Sequence, residues 1–249
     1  MTQNTNTTGI MPVICSEIFD IRPDYSAISV VAEDIDNGAR HAAVDRYVEE
    51  VVTRATRPSW TADHLEAWRT AYRAFGSKPQ RTPSSADALL MRLDKDGRLP
   101  EINAVVDLYN AISIRFAIPV GGENVDAYVG NPRLTRASGV ESFDTMKEGR
   151  VVTETVPAGE VVWTDDRGVT CRRWNWRQGI RTRVGVETRR AWFVLERLDP
   201  MPLSAAKEAA AALMHTLRLM SPGATLAAHL IDRWGTTEIG GGEEIAISG

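Results

Sequence analysis

Cys171-Arg-Arg-Trp-Asn-Trp-Arg-Gln178 brings indole rings, guanidinium forks and side-chain amides into eight residues. Such a set can grip an anionic, aromatic ligand, because arginine pairs bidentately with phosphate and tryptophan offers a π-face to any base. From Arg172 to Arg190 the chain carries seven arginines (Arg172, Arg173, Arg177, Arg181, Arg183, Arg189, Arg190) against one acid, Glu187. The local charge is +6 in a chain whose total is −4, so everything else sums to −10. A competing reading is a hairpin in which Trp174 and Trp176 pack on a core while the arginines face water. A second set of groups that could do chemistry is Asn103, Asp107 and Asn110. Their spacing of four and three makes a polar stripe on a helix, away from its apolar face.

The elements that must position these groups alternate early helices with later strands. Val13–Ile21 and Ala27–Ala32 are β-branched runs around Arg22-Pro-Asp24 and read as two strands. Ala39–Thr56 is helical by spacing, with Val44, Tyr47, Val48, Val51 and Val52 on one face. Thr61 is a fitting N-cap for a second helix through Leu65, Trp68, Tyr72 and Phe75, ended by Gly76. A loop with two prolines follows from Gly76 to Ser85, and Ser84 or Ser85 caps a third helix over Ala86–Asp94. Ile102–Phe116 has the clearest helical period, through Ile102, Val105, Val106, Tyr109, Ile112 and Phe116. Beyond Val129 the segments are short and β-like: Leu134–Ala137, Val151–Val156, Glu160–Thr164, Val169–Trp174 and Ala191–Glu196, separated by turns. Ser204–Met220 reads as a last helix and Ala224–Trp234 as a final strand. The expected fold class is α+β, a helical part packed on a β-rich barrel- or sandwich-like part. Residues 13–234 are expected to form one domain, with a disordered lead-in over 1–12 and a flexible tail over 235–249.

A length of 249 residues with 43% hydrophobic and 25% charged residues allows a sizeable buried core. No apolar run reaches the ~18 residues of a membrane span, and the polar start of the chain lacks the pattern of a signal peptide. A cytoplasmic protein is expected. Two cysteines, Cys15 and Cys171, are too few for a disulfide framework, and the four histidines show neither HxH nor HExxH spacing. No metal or cofactor is expected. The net charge of −4 argues against a protein that coats nucleic acid generally, and leaves room for one basic patch.

Pro100-Glu-Ile-Asn-Ala-Val-Val-Asp-Leu-Tyr-Asn110, then Pro119, Asp126, Gly139–Phe143 and Pro157-Ala-Gly-Glu-Val-Val-Trp-Thr-Asp165 follow one another in the chain. In type and order they resemble the B3/B4 domain of the phenylalanyl-tRNA synthetase β subunit, with its "IN-x-VVD-x-x-N" helix and "PG-[DE]-x-V-x-x-D" hairpin. The resemblance spans roughly Tyr72 to Pro200 and resembles a freestanding copy. It implies a tRNA-associated editing domain that hydrolyses a wrongly attached aminoacyl ester, here in trans, with the aminoacyl end of tRNA as partner and a synthetase as a further one. Such a second site is needed where a binding pocket rejects a near-isostere by only ~10²-fold. The positions carried over are Asn103, Asp107 and Asn110, with Glu141 either functional or a structural cap. Two departures bear on the site: Gly121-Gly122 stands where the synthetases have a histidine, and Trp174–Gln178 replaces a glycine-rich loop.

Ester hydrolysis needs a placed water, donors for the developing oxyanion and a hold on the terminal adenosine. No GxSxG elbow is present, which favours a positioned water over an acyl-enzyme. Asn110, Asn175 and Gln178 are the candidate catalytic donors. Asn103 and Asp107 are candidate substrate contacts, Arg173 and Arg177 candidate phosphate or carboxyl clamps, and Trp174 or Trp176 a ring platform. Lys78, Arg81, Arg172 and Arg181 are the candidate tRNA contacts. The alternatives are a non-catalytic binder of tRNA, an amino acid or a small metabolite, and a module that recruits a synthetase.

Overall fold

The computed structural model describes residues 9–54 and 56–240. The lead-in expected over 1–12 and the tail expected over 235–249 therefore lie largely outside the described residues. In chain order the elements are β1 (Val13–Ile14), α1 (Ser16–Ile21), β2 (Ser26–Glu33), α2 (Ala42–Thr53), α3 (Thr61–Ala74), α4 (Ser85–Asp96), α5 (Ala104–Phe116) and β3 (Val120–Asn124). There follow β4 (Arg133–Arg136), β5 (Ser142–Lys147), β6 (Arg150–Thr155), β7 (Val161–Thr164), β8 (Val169–Arg172), β9 (Arg177–Gln178), β10 (Ala191–Arg197), α6 (Leu203–Met220), β11 (Thr225–Asp232) and β12 (Gly235–Gly240). The architecture is mixed α+β, with six helices and three sheets among the described residues.

One sheet runs β12-β11-β2-β10-β3 and is antiparallel throughout. A second runs β1-β4-β7-β8-β9, parallel only at β1–β4. β5 and β6 form a separate hairpin. Successive side chains of a strand point to opposite faces, so β2 serves two cores. Ile28, Val30 and Ala32 pack with Phe193 and Leu195 against α5 and α6. Ala27 and Val31 pack with Trp192 and Val194 against Trp163 and Leu134 of the second sheet and Trp68 and Tyr72 of α3. Burial on both faces explains why β2 reads as a nearly continuous apolar run.

Three local expectations are corrected. Only Val13 and Ile14 of the first predicted strand pair as a strand; Ser16–Ile21 is helical, since Ile14, Ile18 and Ile21 recur at helical spacing and pack on the core of the second sheet. Thr61 is the first residue of α3 rather than its cap, its hydroxyl bonding Pro58 O at 2.7 Å. Gly235–Gly240, placed in the tail by the sequence, pairs with β11 as an edge strand. No helix among the described residues is long and apolar enough to cross a membrane.

Candidate functional site

The edge strand β3 and its neighbour β10 fix the geometry of the site. Register pairs Trp192 with Glu123 and Val194 with Gly121, while Glu196 N bonds Pro119 O at 3.0 Å. Period-2 alternation therefore sets Trp192, Val194 and Glu196 on one face of β10 with Gly121 and Glu123 beside them. Gly122 faces the other way, onto α5. A Cβ there would stand 2.7 Å from the Tyr109 ring, so only glycine lets the helix approach so closely. At Gly121 a Cβ would meet nothing nearer than Val194, at 3.4 Å, and the missing side chain leaves the floor open. The result is a cleft of about 150 Å³ between these strands, Asn110 and Tyr109 of α5, Ser85 at the start of α4, and the Trp174–Gln178 loop.

Two buried glutamates line it, and the sequence reading passed over both. Glu196 accepts hydrogen bonds from Tyr25 OH (2.8 Å), Asn175 Nδ2 (2.9 Å) and Trp163 Nε1 (3.2 Å). Burial outweighs those bonds and pushes its carboxyl up to about 7. Glu123 accepts from Tyr128 OH, and burial likewise raises it to about 7. Carboxyls titrating near neutrality inside a cleft can take up or release a proton, or hold a cation. Cys171, on the same wall, has its thiol pushed well up by burial and remains protonated, which disfavours it as a nucleophile.

The loop from Arg173 to Gln178 divides its side chains between core and cleft. Arg173 and Trp174 both take positive φ, 49° and 65°, and this tight turn drives the Trp174 ring inward. Trp174 is fully buried, 5.2 Å from Tyr25 and 5.3 Å from Trp68 between ring centroids. It anchors the core and does not offer an open ring platform, as the sequence allowed. Trp176 is half-buried instead, with the guanidinium groups of Arg173 and Arg177 each 4.4 Å from its ring centre. Asn175 lines the cleft with its amide committed, Nδ2 to Glu196 and Oδ1 to Tyr72 OH at 2.9 Å. Gln178 gives one N–H to Gly122 O at 2.8 Å. Asn110 lines the cleft with no hydrogen bond to another described side chain or backbone group.

Several predicted site residues lie elsewhere. Asn103 is the N-cap of α5, its Oδ1 accepting from Val106 N at 3.0 Å and its Nδ2 donating to Val184 O at 3.2 Å. Asp107 accepts from Ile102 N at 2.9 Å and pairs with Arg40 at 3.2 Å, beside a separate hollow near α2. The expected stripe thus contributes Asn110 alone, since capping took the other two. Arg172 and Arg181, expected as tRNA contacts, are held by acids of the chain itself: Arg172 is buried on Glu160 and Glu154, and Arg181 clasps Asp165 through two 2.8 Å bonds. Glu141 is a turn cap. Against the penalty of burial, bonds from Ser138, Gly139 and Val140 hold its carboxyl down to about 2. Lys78 and Arg81 line a second, basic hollow of about 300 Å³ with Arg173. Among the described residues no group of three or more His, Cys, Asp or Glu side chains could hold a metal ion.

The raised Glu196 carboxyl makes stability fall with pH. Its folded value of about 7 lies above the ordinary 4.5, so its contribution is complete below pH 4.5 and is lost as pH rises through 7. Over that window the loss approaches about 3 kcal/mol. Urea unfolding of Glu196→Gln at a series of pH values should show the variant gaining on the wild type as pH rises from 4.5 to 8. A constant difference across that range would contradict the buried placement of the carboxyl.

A family model described as the B3/4 domain matches residues 67–220 of the chain. The fold is similar to the crystal structure of an N-terminal fragment of the phenylalanyl-tRNA synthetase beta-subunit from Pyrococcus horikoshii, with a TM-score of 0.53 at 10% sequence identity. The match covers 94% of this chain and 55% of that one, so the chain spans about half of the fragment it resembles. At that identity the likeness is one of fold. No curated protein matches the sequence.

Proposed function

The chain belongs to the B3/4 domain family, and from that premise we propose that it receives the aminoacyl end of a tRNA and hydrolyses a mischarged ester there. The observation that carries the reading is Arg173. It lines the basic hollow with Lys78 and Arg81 and also stacks on Trp176, which lines the cleft. A phosphate-binding surface thus runs into a small, polar-walled cleft of a size for an aminoacyl group. Trp176 and the planar guanidinium groups stacked on it together offer a surface on which a terminal base can stack.

In the proposed reaction water adds to the ester carbonyl and the bond to the ribose oxygen breaks. The water's proton passes to that oxygen, and free amino acid and uncharged tRNA leave. Asn110 supplies the uncommitted amide that can donate to the developing oxyanion, while Gln178, bonded to Gly122 O and close to Glu123, holds the wall beside it. Asn175 positions Glu196 and the loop rather than the ester. Incubating the purified protein with a panel of mischarged tRNAs tests the reading. Release of an amino acid from at least one supports it, and no release from any refutes it in favour of a binding module.

The basic surface makes a prediction of its own. Of the arginine-rich segment, Arg177 is exposed and Arg173 half-buried, whereas Arg190 pairs with Glu33 and Asp126. Each phosphate neutralised adds about 0.7 to 0.9 to the salt slope of binding. Replacing Arg173 and Arg177 with Ala should weaken tRNA binding and flatten that slope by roughly one to two in filter-binding titrations. An unchanged slope would place the RNA on another face.

A further inference from the structure

Six acidic residues are buried in the described structure: Asp87, Asp107, Glu123, Glu160, Asp165 and Glu196. Four have an arginine on them, Asp87 with Arg69, Asp107 with Arg40, Glu160 with Arg172 and Asp165 with Arg181. Glu123 and Glu196 have none; their bonds come from neutral Tyr, Trp and Asn donors. These two are also the ones that line the Trp-walled cleft. A buried carboxylate is costly unless a proton neutralises it or a cation compensates it, and with no arginine on either glutamate a cation that fills the cleft is the partner their ionised forms lack.

The walls agree with that occupant. Trp163 and Trp192 also line the cleft, and indole is the strongest of the side-chain π-systems for holding an ammonium ion. Two further polar atoms there are buried without a hydrogen bond of good geometry, Ser85 Oγ and Trp174 Nε1, the indole lying close enough to Glu196 and Tyr25 to act on both. The indole N–H can only donate, so it needs an acceptor oxygen. A group with an ammonium and a carbonyl side by side meets both requirements. The cationic mouth at Arg173 and Arg177 and the acidic interior give the cleft the polarity of an aminoacylated RNA end, phosphate outside and amine inside.

We propose that the cleft recognises a primary ammonium group next to a carbonyl, with Glu123 and Glu196 as the carboxylates that receive it. This deepens the reading above and rests on it for the aminoacyl identity of the ligand. It makes the two glutamates binding residues for the substrate's amine, and it leaves the oxyanion to Asn110.

Calorimetric titration of the full chain with four probes tests it: L-alaninamide and L-phenylalaninamide carry the α-ammonium, Nα-acetyl-L-lysinamide carries only a side-chain ammonium, and Nα-acetyl-L-alaninamide carries no charge. Binding of at least one α-ammonium probe and none of the acetylated alaninamide is expected. Glu196→Gln and Glu123→Gln should each weaken it about 10-fold or more, the order of a charge-assisted hydrogen bond. Preference for acetyl-lysinamide would overturn the α-ammonium assignment. Equal binding of the neutral probe, no binding of any probe, or folded glutamine variants with undiminished affinity would overturn the proposal outright. Ammonium binding by a protein that deacylates no mischarged tRNA would leave this inference standing and remove the hydrolytic reading, so the two fail separately.

Discussion

Asn110→Ala should lower the deacylation rate by about 10² or more while leaving the melting temperature and tRNA affinity close to those of the wild type. Loss of one oxyanion donor costs roughly 2.7 to 4 kcal/mol in the transition state, which is ~10²- to 10³-fold in rate. Asn110 is the residue for which that cost can be read cleanly. Its side chain lines the cleft and makes no hydrogen bond to another described group, so its truncation leaves no buried partner behind. Asn175→Ala would be ambiguous, because it strips a donor from Glu196 and an acceptor from Tyr72 OH. Single-turnover deacylation measured beside thermal unfolding checks the prediction. A variant that keeps more than about a third of the wild-type rate would remove Asn110 from the chemistry, since even a single weak donor is worth more than that.

How far the sequence led follows from which interactions are local. Helical period alone gives α5, and the resemblance marks Asn110 on it, because both are carried within a few turns of chain. Asn103 and Asp107 look the same in sequence, but cap geometry decided their fate and shifted the helix start past Asn103. Glu196 closes the apolar run Ala191–Glu196 and reads as the point where a strand meets water. Its alternation with Trp192 and Val194 was the signal that it faces inward. Glu123 gave no such signal, since only pairing of β3 with β10 brings it to the same face. The seven arginines hid their partners for a related reason. Asp165 is 16 residues before Arg181, Glu160 and Glu154 are 12 and 18 before Arg172, and Glu33 is 157 before Arg190. A local charge of +6 is therefore largely neutralised by acids that the fold returns from elsewhere, and the cations left to face a ligand are few.

That neutralisation predicts a large stability effect at Arg172. Its guanidinium bonds Glu160 twice, Nε to Oε1 and Nη2 to Oε2, each at 2.8 Å, and Glu154 through Nη1 at 2.9 Å. The Arg172 side chain is 8% exposed and that of Glu160 7%, so neither charge has water to fall back on. Breaking such a pair from one side costs about 3 to 5 kcal/mol, because the remaining charge is buried and has lost its main partner. Arg172→Ala should therefore lower the melting temperature by roughly 10 °C or more in a chain of this size. Arg173 Nε, 3.4 Å from Glu160, is too distant to replace the lost fork. Replacing the pair by apolar residues, Arg172→Met with Glu160→Leu, should recover more stability than either single change retains, since no orphan charge is then left. The proposed tRNA contacts should behave oppositely: Arg177→Ala, at an exposed position over Trp176, should weaken binding without moving the melting temperature. If Arg172→Ala unfolds at the wild-type temperature and loses tRNA affinity instead, then Arg172 faces RNA rather than Glu160, and the buried clasp described here is wrong.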